Sequence, residues 1–317
     1  MRQQVEVGTP PCADLETLAG EIRGRRRAAA ETAAVEGVAV AALACSPLPV
    51  TPIPTTKQRY LRMMELYGLT AAEQLSNGCH VHVEVASREE GVAVLDRVRP
   101  WLPVLRALSA NSPFWQGEDT GYASYRSQVW GRWPSAGPTE PFGSAAGYEQ
   151  AVEGLLASGA VLDRGMLYFD ARLSENFPTV ELRAADVCLE ADDSLLLAAL
   201  ARALVTTAAQ DWQRGRPAPQ VRVEMLRAAH WRAARWGVGG ELVNPASGEA
   251  VPARHVLDDL LVHLRPTLQD AGDEARVHDL LAQLLARGTG ADLQRQAYAR
   301  RHRLPDVVHD AVQRTSR

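Results

Sequence analysis

Hydrophobic and polar residues alternate along several short segments of the chain, and this period of two predicts β-strands. The clearest segment is 77–85, with the sequence NGCHVHVEV. On a pleated strand, His80, His82 and Glu84 point to one face, and the intervening cysteine and valines point to the other. A strand needed only for burial would not place two imidazoles and a carboxylate together, so we expect function on the polar face.

A second strand, predicted over 178–187, carries related chemistry. Alternation places Thr179, Glu181 and Arg183 on one face, where a carboxylate and a guanidinium can bind a cation and a phosphate oxygen side by side. Taken alone, each of these strands can also be explained as an ordinary strand with a solvent-exposed polar face. The coincidence of the two favours a site.

Two further strand predictions follow the same rule. Segment 3–10 aligns Gln4 with Glu6 and ends at Pro10, which cannot continue the strand pairing. Segment 165–172 aligns a tyrosine, an aspartate and an arginine, namely Tyr168, Asp170 and Arg172. Four separate segments therefore offer ionisable or polar side chains at strand spacing.

A period near 3.6 residues predicts helices over most of the remaining chain. The first helix runs from Asp14, an N-cap residue, to about Glu36, and the apolar segment 37–45 is predicted as a buried strand after it. Further helices are predicted over 57–75, 88–110, 122–132 and 145–158, and the chain is mainly helical from about 190 onward. This order predicts an α+β fold, a single domain over 1–317 whose mostly antiparallel sheet is wrapped by helices.

Composition narrows the classes of function. The chain has 317 residues, of which 46% are hydrophobic and 23% charged, so it can bury a large core. Its formal net charge of −4 argues against a broad nucleic-acid surface, which needs a net basic field. Lys57 is the one lysine of the sequence, so phosphate has to be bound by arginine, backbone amides or a metal ion.

The cysteines of the chain are far apart in sequence: Cys12, Cys45, Cys79 and Cys188. Their spacing favours free thiols over disulfides or a structural zinc site. No secretory signal is evident in the sequence, and no apolar segment is long enough to span a membrane. We therefore expect a cytoplasmic protein that binds neither membranes nor nucleic acids.

Several motifs together resemble a known family. They are GCHVHV at 78–83, SANSPFW at 109–115, DTGYASYR at 119–126, ELR at 181–183 and GTGA at 288–291. In this combination the chain resembles the bacterial carboxylate-amine ligases of the glutamate-cysteine ligase type 2 family, over nearly its whole length. That family is a branch of the glutamine synthetase superfamily, so the resemblance implies a sheet that forms an active-site funnel.

The resemblance implies an ATP-dependent ligase with Mg²⁺ as a cofactor and small-molecule acid and amine substrates. The γ-carboxylate of glutamate, or of a related acid, attacks the terminal phosphate of ATP. The amine of cysteine, or another amine, then displaces phosphate from the acyl phosphate. This chemistry requires neutralisation of crowded oxygens more than a protein nucleophile. A homodimer is the assembly to test first.

The resemblance also assigns roles to individual residues. Glutamate and histidine ligands of metal in the family correspond to Glu6, His80 and Glu181. Catalytic groups that face the phosphates of the nucleotide correspond to His82 and Arg183. Arg126 and Asn111 are candidates for binding the substrate carboxylate, which a guanidinium can hold with two parallel hydrogen bonds. The alternative for Arg126 is an ordinary ion pair on a helix surface.

One feature departs from the family pattern. Members normally begin with a strand of the type Gly-Val-Glu-Glu-Glu-Phe that supplies further metal-binding glutamates, and no such strand precedes Met1 in this sequence. We therefore expect a glutamine synthetase-like catalytic fold without its first strand. Either the natural start lies upstream, or part of the metal site is lost. In the second case the chain is a catalytically impaired descendant that binds nucleotide or amino acid.

A metal-dependent oxygenase or hydrolase built on His80 and His82 is a further hypothesis. A cupin requires another glutamate where Ala86 and Ser87 stand. An amidohydrolase requires lysine or histidine ligands that the polar strands lack. The ligase is therefore the leading interpretation.

Overall fold

An antiparallel sheet of three strands organises the chain, which a computed structural model describes over residues 1–316. The strands in chain order are β1 (Gly78–Glu84), β2 (Phe114–Trp115), β3 (Glu118–Asp119), β4 (Ala171–Leu173), β5 (Thr179–Asp186), β6 (Glu241–Val243) and β7 (Ala250–Pro252). The sheet has the order β1–β5–β4, and β2 with β3 and β6 with β7 form two separate hairpins.

Helices surround this sheet and make up most of the chain after β5. The α-helices of residues 1–316 are α1 (Leu15–Val35), α2 (Gln58–Tyr67), α3 (Leu69–Ala72), α4 (Arg88–Val98), α5 (Leu102–Ser109), α6 (Arg126–Trp130), α7 (Ala145–Ala157), α8 (Ala191–Gln213), α9 (Val223–Trp236), α10 (Ala253–Asp270), α11 (Glu274–Arg287), α12 (Gly290–Ala299) and α13 (Leu304–Thr315). Asp14 caps α1 as predicted, because its side chain accepts a hydrogen bond from the backbone N–H of Thr17. Over the described residues, none of these helices combines the length and apolar character that crossing a membrane requires.

The core lies between the apolar face of the sheet and the long helix α8. Leu196, Leu200 and Leu204 follow one another at a spacing of four along α8, and none of them is more than 1% exposed. Val180 and Leu182 of β5 belong to the same core cluster. Burying one such side chain contributes about 1.5–3 kcal/mol. The core therefore fixes which face of β1 and β5 remains available for polar residues.

The pairing of β1 with β5 is interrupted by a β-bulge. Two residues of β5, Arg183 and Ala184, lie opposite the single residue His80. A bulge of this kind reverses the alternation of side chains on the bulged strand. Asp186, which simple alternation assigns to the apolar side, therefore shares the polar face of the sheet, opposite Gly78.

Three of the predicted strands were wrong or too long. Segment 3–10 forms no strand, and segment 37–45 makes only an isolated bridge, between Cys45 and Ser76. Segment 165–172 contributes only the start of the short β4, after a 3₁₀ helix at Arg164–Met166. A strand needs a partner for its backbone hydrogen bonds, and alternation in a short segment does not show whether a partner is present.

Candidate functional site

Glu181 lies at the centre of the polar face and contacts two arginines. Arg172 Nε donates a hydrogen bond to Glu181 Oε2 at 2.7 Å, and Arg183 donates to Oε1. Glu181 is 3% exposed and Arg183 is 6% exposed. Burial by itself raises the pKa of Glu181, but its bond with His80 and the charges of Arg183 and Arg172 outweigh burial and hold this pKa well below its usual range.

The two histidines of β1 flank this carboxylate. His80 Nδ1 lies 3.2 Å from Glu181 Oε1, and His82 Nε2 lies 3.8 Å from the same oxygen. The hydroxyl of Thr179 lies 3.0 Å from His82 Nδ1 and orients that ring. Burial lowers the pKa of both histidines. Both rings are therefore neutral at pH 7, and each keeps one nitrogen lone pair for a ligand or a proton.

A buried ion pair extends the polar face beyond the bulge. Arg126 Nη1 lies 3.7 Å from Asp186 Oδ1, and the two side chains are 3% and 0% exposed. Asp186 also accepts hydrogen bonds from the hydroxyls of Ser112, at 2.8 Å, and Ser124, at 3.0 Å. Burial raises the pKa of Asp186, and Arg126 together with these donors limits the rise.

Gly78 makes room for Arg126 on the polar face. A Cβ atom at Gly78 would collide with the guanidinium of Arg126, so a larger residue at position 78 would displace it. Arg126 also lies over the ring of Trp130, 5.4 Å from its centroid. Because the side chain is buried against the sheet, the alternative of an ordinary surface ion pair is wrong. Substrate binding by Arg126 stays a prediction.

Asn111, the other residue predicted to bind substrate, has its side chain fully engaged by protein. Its Nδ2 donates to the carbonyl oxygens of Ala42 and Val187, both at 2.8 Å, and its Oδ1 accepts from Gln294 at 2.7 Å. Its backbone N–H donates to Asp186 at 3.0 Å. These contacts stabilise the loop after α5, and they offer no support for a contact between the Asn111 side chain and a substrate.

A buried network lies beside Arg183 and supports its backbone. Arg106 Nη2 donates to Asp170 Oδ1 at 2.9 Å, and His230 Nε2 lies 3.2 Å from Asp170 Oδ2. The carbonyl oxygen of Asp170 accepts the backbone N–H of Arg183 at 2.8 Å. Three elements that are distant in sequence therefore meet at Asp170 and hold the strand that carries Arg183.

His230 allows this network to be tested through pH. Burial lowers the pKa of His230 from 6.5 to about 3. The unfolded chain therefore takes up a proton near pH 6.5 that the folded chain does not bind, so stability falls as the pH decreases. Relative to a His230→Gln variant, the free energy of unfolding of the wild type should decrease by about 2 kcal/mol between pH 8 and pH 5. Urea unfolding at both pH values measures this difference, and an equal pH response in the two proteins would contradict it.

The three predicted metal ligands do not form one group: His80 and Glu181 are adjacent, but Glu6 does not join them. Glu6 is exposed in a segment outside the sheet, and both oxygens of Glu181 accept hydrogen bonds from arginines. In the part of the chain that the structure describes, no group of three or more histidine, cysteine, aspartate or glutamate side chains could hold a metal ion. Mg²⁺ demands octahedral oxygen coordination. In this arrangement the described side chains alone do not form a complete magnesium site. The individual roles predicted for Glu6, His80 and Glu181 as metal ligands stay predictions.

Two residues of the polar face received no role from the sequence. The sequence predicted a strand that contains Arg172, and this residue does lie on β4, directly opposite Glu181 of β5. The alternation around Arg172 is the signal that could have identified it as a residue of the polar face. Asp186 was given no place on the polar face, because nothing in the sequence marks the bulge that orients it there.

Comparison with known proteins extends over the whole described chain. The model of glutamate-cysteine ligase family 2 (GCS2) matches residues 1–316. The chain is 58% identical over 315 residues to the candidate glutamate-cysteine ligase 2-2 of Frankia alni. This alignment covers 99% of the present chain and 82% of the relative. It is 56% identical over 313 residues to the candidate glutamate-cysteine ligase 2 of Streptomyces coelicolor, in an alignment that covers 99% of this chain and 86% of that relative.

A solved structure shows the same fold at low sequence identity. The Pup ligase PafA in complex with ADP matches with a TM-score of 0.55 and 15% identity, over 98% of this chain and 66% of the PafA chain. This similarity and the antiparallel sheet wrapped by helices confirm the predicted α+β fold. The family model and the relatives at more than 50% identity show that the chain belongs to glutamate-cysteine ligase family 2, a family of carboxylate-amine ligases.

Proposed function

We propose that this protein is an ATP-dependent ligase that joins the γ-carboxylate of glutamate, or of a related acid, to the amine of cysteine, or another amine. Family membership supports the ligase class, and the ADP complex of the Pup ligase supports the use of a nucleotide. The observation that carries the proposal is the cluster of Arg172, Arg183 and Glu181 beside two histidines on the polar face. The free cysteines agree with a cytoplasmic reaction, since that compartment is reducing.

The charge of the polar face suits phosphate oxygens. Three guanidinium groups, those of Arg126, Arg172 and Arg183, lie with the carboxylates of Glu181 and Asp186. The excess positive charge is partly buried, where electrostatic attraction is stronger than in water. Arginine stays charged and binds phosphate through parallel hydrogen bonds. This face can therefore stabilise a phosphoryl group without any lysine.

In the proposed reaction, a carboxylate oxygen of the acid attacks the terminal phosphorus of ATP, which forms an acyl phosphate and releases ADP. The amine nitrogen attacks the acyl carbon, phosphate leaves with the electrons of the broken C–O bond, and the amine loses a proton to give the amide. We assign Arg183 and His82 Nε2 to the phosphoryl oxygens, because both lie on the polar face beside Glu181. Glu181 and Arg172 hold Arg183 in position, and Arg126 is retained for the substrate carboxylate.

Mg²⁺ is expected to accompany ATP, because in nucleotide sites it binds largely to the substrate phosphates. The described side chains provide no set of ligands for it, so no step of the reaction is assigned to the metal ion. The proposal depends on the arginine and histidine side chains of the polar face.

Product formation by the purified full chain tests the proposal. With ATP, Mg²⁺, L-glutamate and L-cysteine, the release of ADP and phosphate should require both substrates. Mass spectrometry should find a product with the mass of the acid plus the amine minus water. Mixtures without the amine serve as the control, and other acids and amines are tested in the same way. Saturable ATP binding without turnover for any pair would instead identify a nucleotide-binding descendant of the family.

A further inference from the structure

Helix α2 packs on the body of the protein with one face only. Tyr60, Met63 and Tyr67 lie on that face, in an apolar cluster that includes Trp133 and Tyr168. The opposite side of the helix, at residues 61, 62, 65 and 66, is exposed to solvent. We call this side the outer face of α2.

Two leucines and two opposite charges form the outer face of α2. Leu61 is 41% exposed and Leu66 is 48% exposed. Between them in sequence lie Arg62 and Glu65, which are exposed and make no hydrogen bond or ion pair within residues 1–316. Successive residues of a helix are turned by about 100°, so these four side chains share an arc of about 140°. They therefore form one continuous surface.

The leucines of this surface are not covered by any other part of the described chain. Single exposed leucines are common on protein surfaces and need no explanation. Here Leu61 and Leu66 lie close in sequence to Leu69, which follows the end of α2 and is 74% exposed. Covering them removes apolar surface from water, which is favourable. A partner for the outer face gains this burial if its charges match those of Arg62 and Glu65.

The order of the charges makes the outer face complementary to itself. A two-fold axis placed beside α2, midway between residues 63 and 64, aligns the helix antiparallel with the same helix of a second copy. This symmetry sets Arg62 level with the partner's Glu65, and Glu65 level with the partner's Arg62. It also sets Leu61 level with the partner's Leu66. One helix pair therefore contains two pairs of opposite charges and buries leucines from both copies.

We propose that the outer face of α2 is an interface between two copies of this chain, in which their α2 helices pack antiparallel. A second copy supplies the reversed order of charges at the same spacing. The helix has 10 residues and is about 15 Å long, so it contributes less than the roughly 800 Å² per partner that standard stable complexes bury. The pairing is therefore weak and depends on protein concentration. It uses no residue of the polar face, so it succeeds or fails independently of the proposed function.

Sedimentation equilibrium of the unmodified full chain is the first experiment. Over a range from about 1 µM to about 300 µM, the average mass should rise from that of one chain toward that of two, with a Kd of about 10–100 µM. Hydrogen exchange at the two ends of this range should show added protection at residues 58–69 in the concentrated sample. A mass that stays at the 34.4 kDa of one chain overturns the proposal, and so does a dimer without added protection in this segment.

Charge reversal tests the surface itself. Arg62→Glu and Glu65→Arg each convert both interchain pairs into repulsions, so each variant alone should dimerise at least about tenfold more weakly. An equimolar mixture of the two variants should recover the affinity of the unmodified chain to within about threefold. In the mixed dimer, each position 62 faces an opposite charge at position 65 of the other copy. Such recovery on mixing cannot arise within a single chain.

Arg27→Glu is the matched control. Arg27 is an exposed arginine of α1 that makes no hydrogen bond or ion pair within residues 1–316, so its reversal should leave dimerisation unchanged. The proposal is overturned if Arg62→Glu or Glu65→Arg keeps an affinity within about threefold of the unmodified chain. It is also overturned if the mixture dimerises no better than either variant alone. If a variant does not fold, the exchange measurement on the unmodified chain decides the question.

Discussion

Replacement of Arg183 by glutamine is expected to lower the rate of amide formation by about 100- to 1,000-fold, the usual effect of removing a group that stabilises charge in the transition state. Arg183 is almost fully buried, donates to Glu181 and lies 3.5 Å from His80 Nδ1. Its loss leaves the phosphoryl oxygens without the cation that the bulge and Asp170 hold in place. Because this interaction strengthens in the transition state, kcat and kcat/KM should fall together.

Arg254→Gln is the matched control for this prediction. Arg254 pairs with Asp258 on α10, and its side chain is 68% exposed. Exposed pairs of this kind contribute little, so turnover should stay at the wild-type level. Thermal unfolding and ATP binding of Arg183→Gln distinguish lost catalysis from lost folding. A folded Arg183→Gln protein with turnover within about threefold of the wild type would refute the role assigned to Arg183.

The second large effect is expected at Asp186. Asp186→Asn should destabilise the protein by about 3–5 kcal/mol, because it leaves the guanidinium of Arg126 buried without a counter-charge. Asp186 is 0% exposed and also accepts hydrogen bonds from Ser112 and Ser124, so its replacement disturbs the loop that covers this end of the sheet. Urea unfolding at pH 7 measures the change.

A double variant separates the ion pair from the rest of the site. If the unpaired charge is the main cause, Asp186→Asn combined with Arg126→Met should recover a large part of the lost stability. Asp258→Asn is the control, since Asp258 is 52% exposed and, within residues 1–316, pairs only with Arg254. Its replacement should cost no more than about 1 kcal/mol. A loss below 1 kcal/mol for Asp186→Asn would show that Arg126 does not depend on this carboxylate.

Local sequence patterns were sufficient for the two strands of the polar face. Alternation in 77–85 and 178–187 predicted β1 and β5 to within one residue at each end, and it placed His80, His82 and Glu181 on one face correctly. The pattern was reliable here because the apolar residues of both strands are required by the core under the sheet. The cap at Asp14 and the helical periodicity of 14–36 and 145–158 were similarly reliable, since they depend on neighbours a few residues away. The predicted helix over 122–132 was too long, because only Arg126–Trp130 is helical.

Local sequence patterns failed where the structure depends on partners that are distant in sequence. Segment 3–10 has good alternation but lies outside the sheet, so Glu6 is not placed on the polar face by any strand. Asn111 was read as a site residue from its motif, whereas its amide bonds to Ala42, Val187 and Gln294. These partners are distant in sequence, and no local pattern can identify them.

By itself, the sequence determined the polar strands, most helices and, through its motifs, the ligase family. Only the tertiary structure decided which charged groups meet. The bulge opposite His80 turns Asp186 toward Arg126, and Arg172 reaches Glu181 from a neighbouring strand. The physical reason is that alternation and helical period reflect interactions between near neighbours. The pairing of charges depends on strand register and loop packing, which are set by contacts across the whole chain.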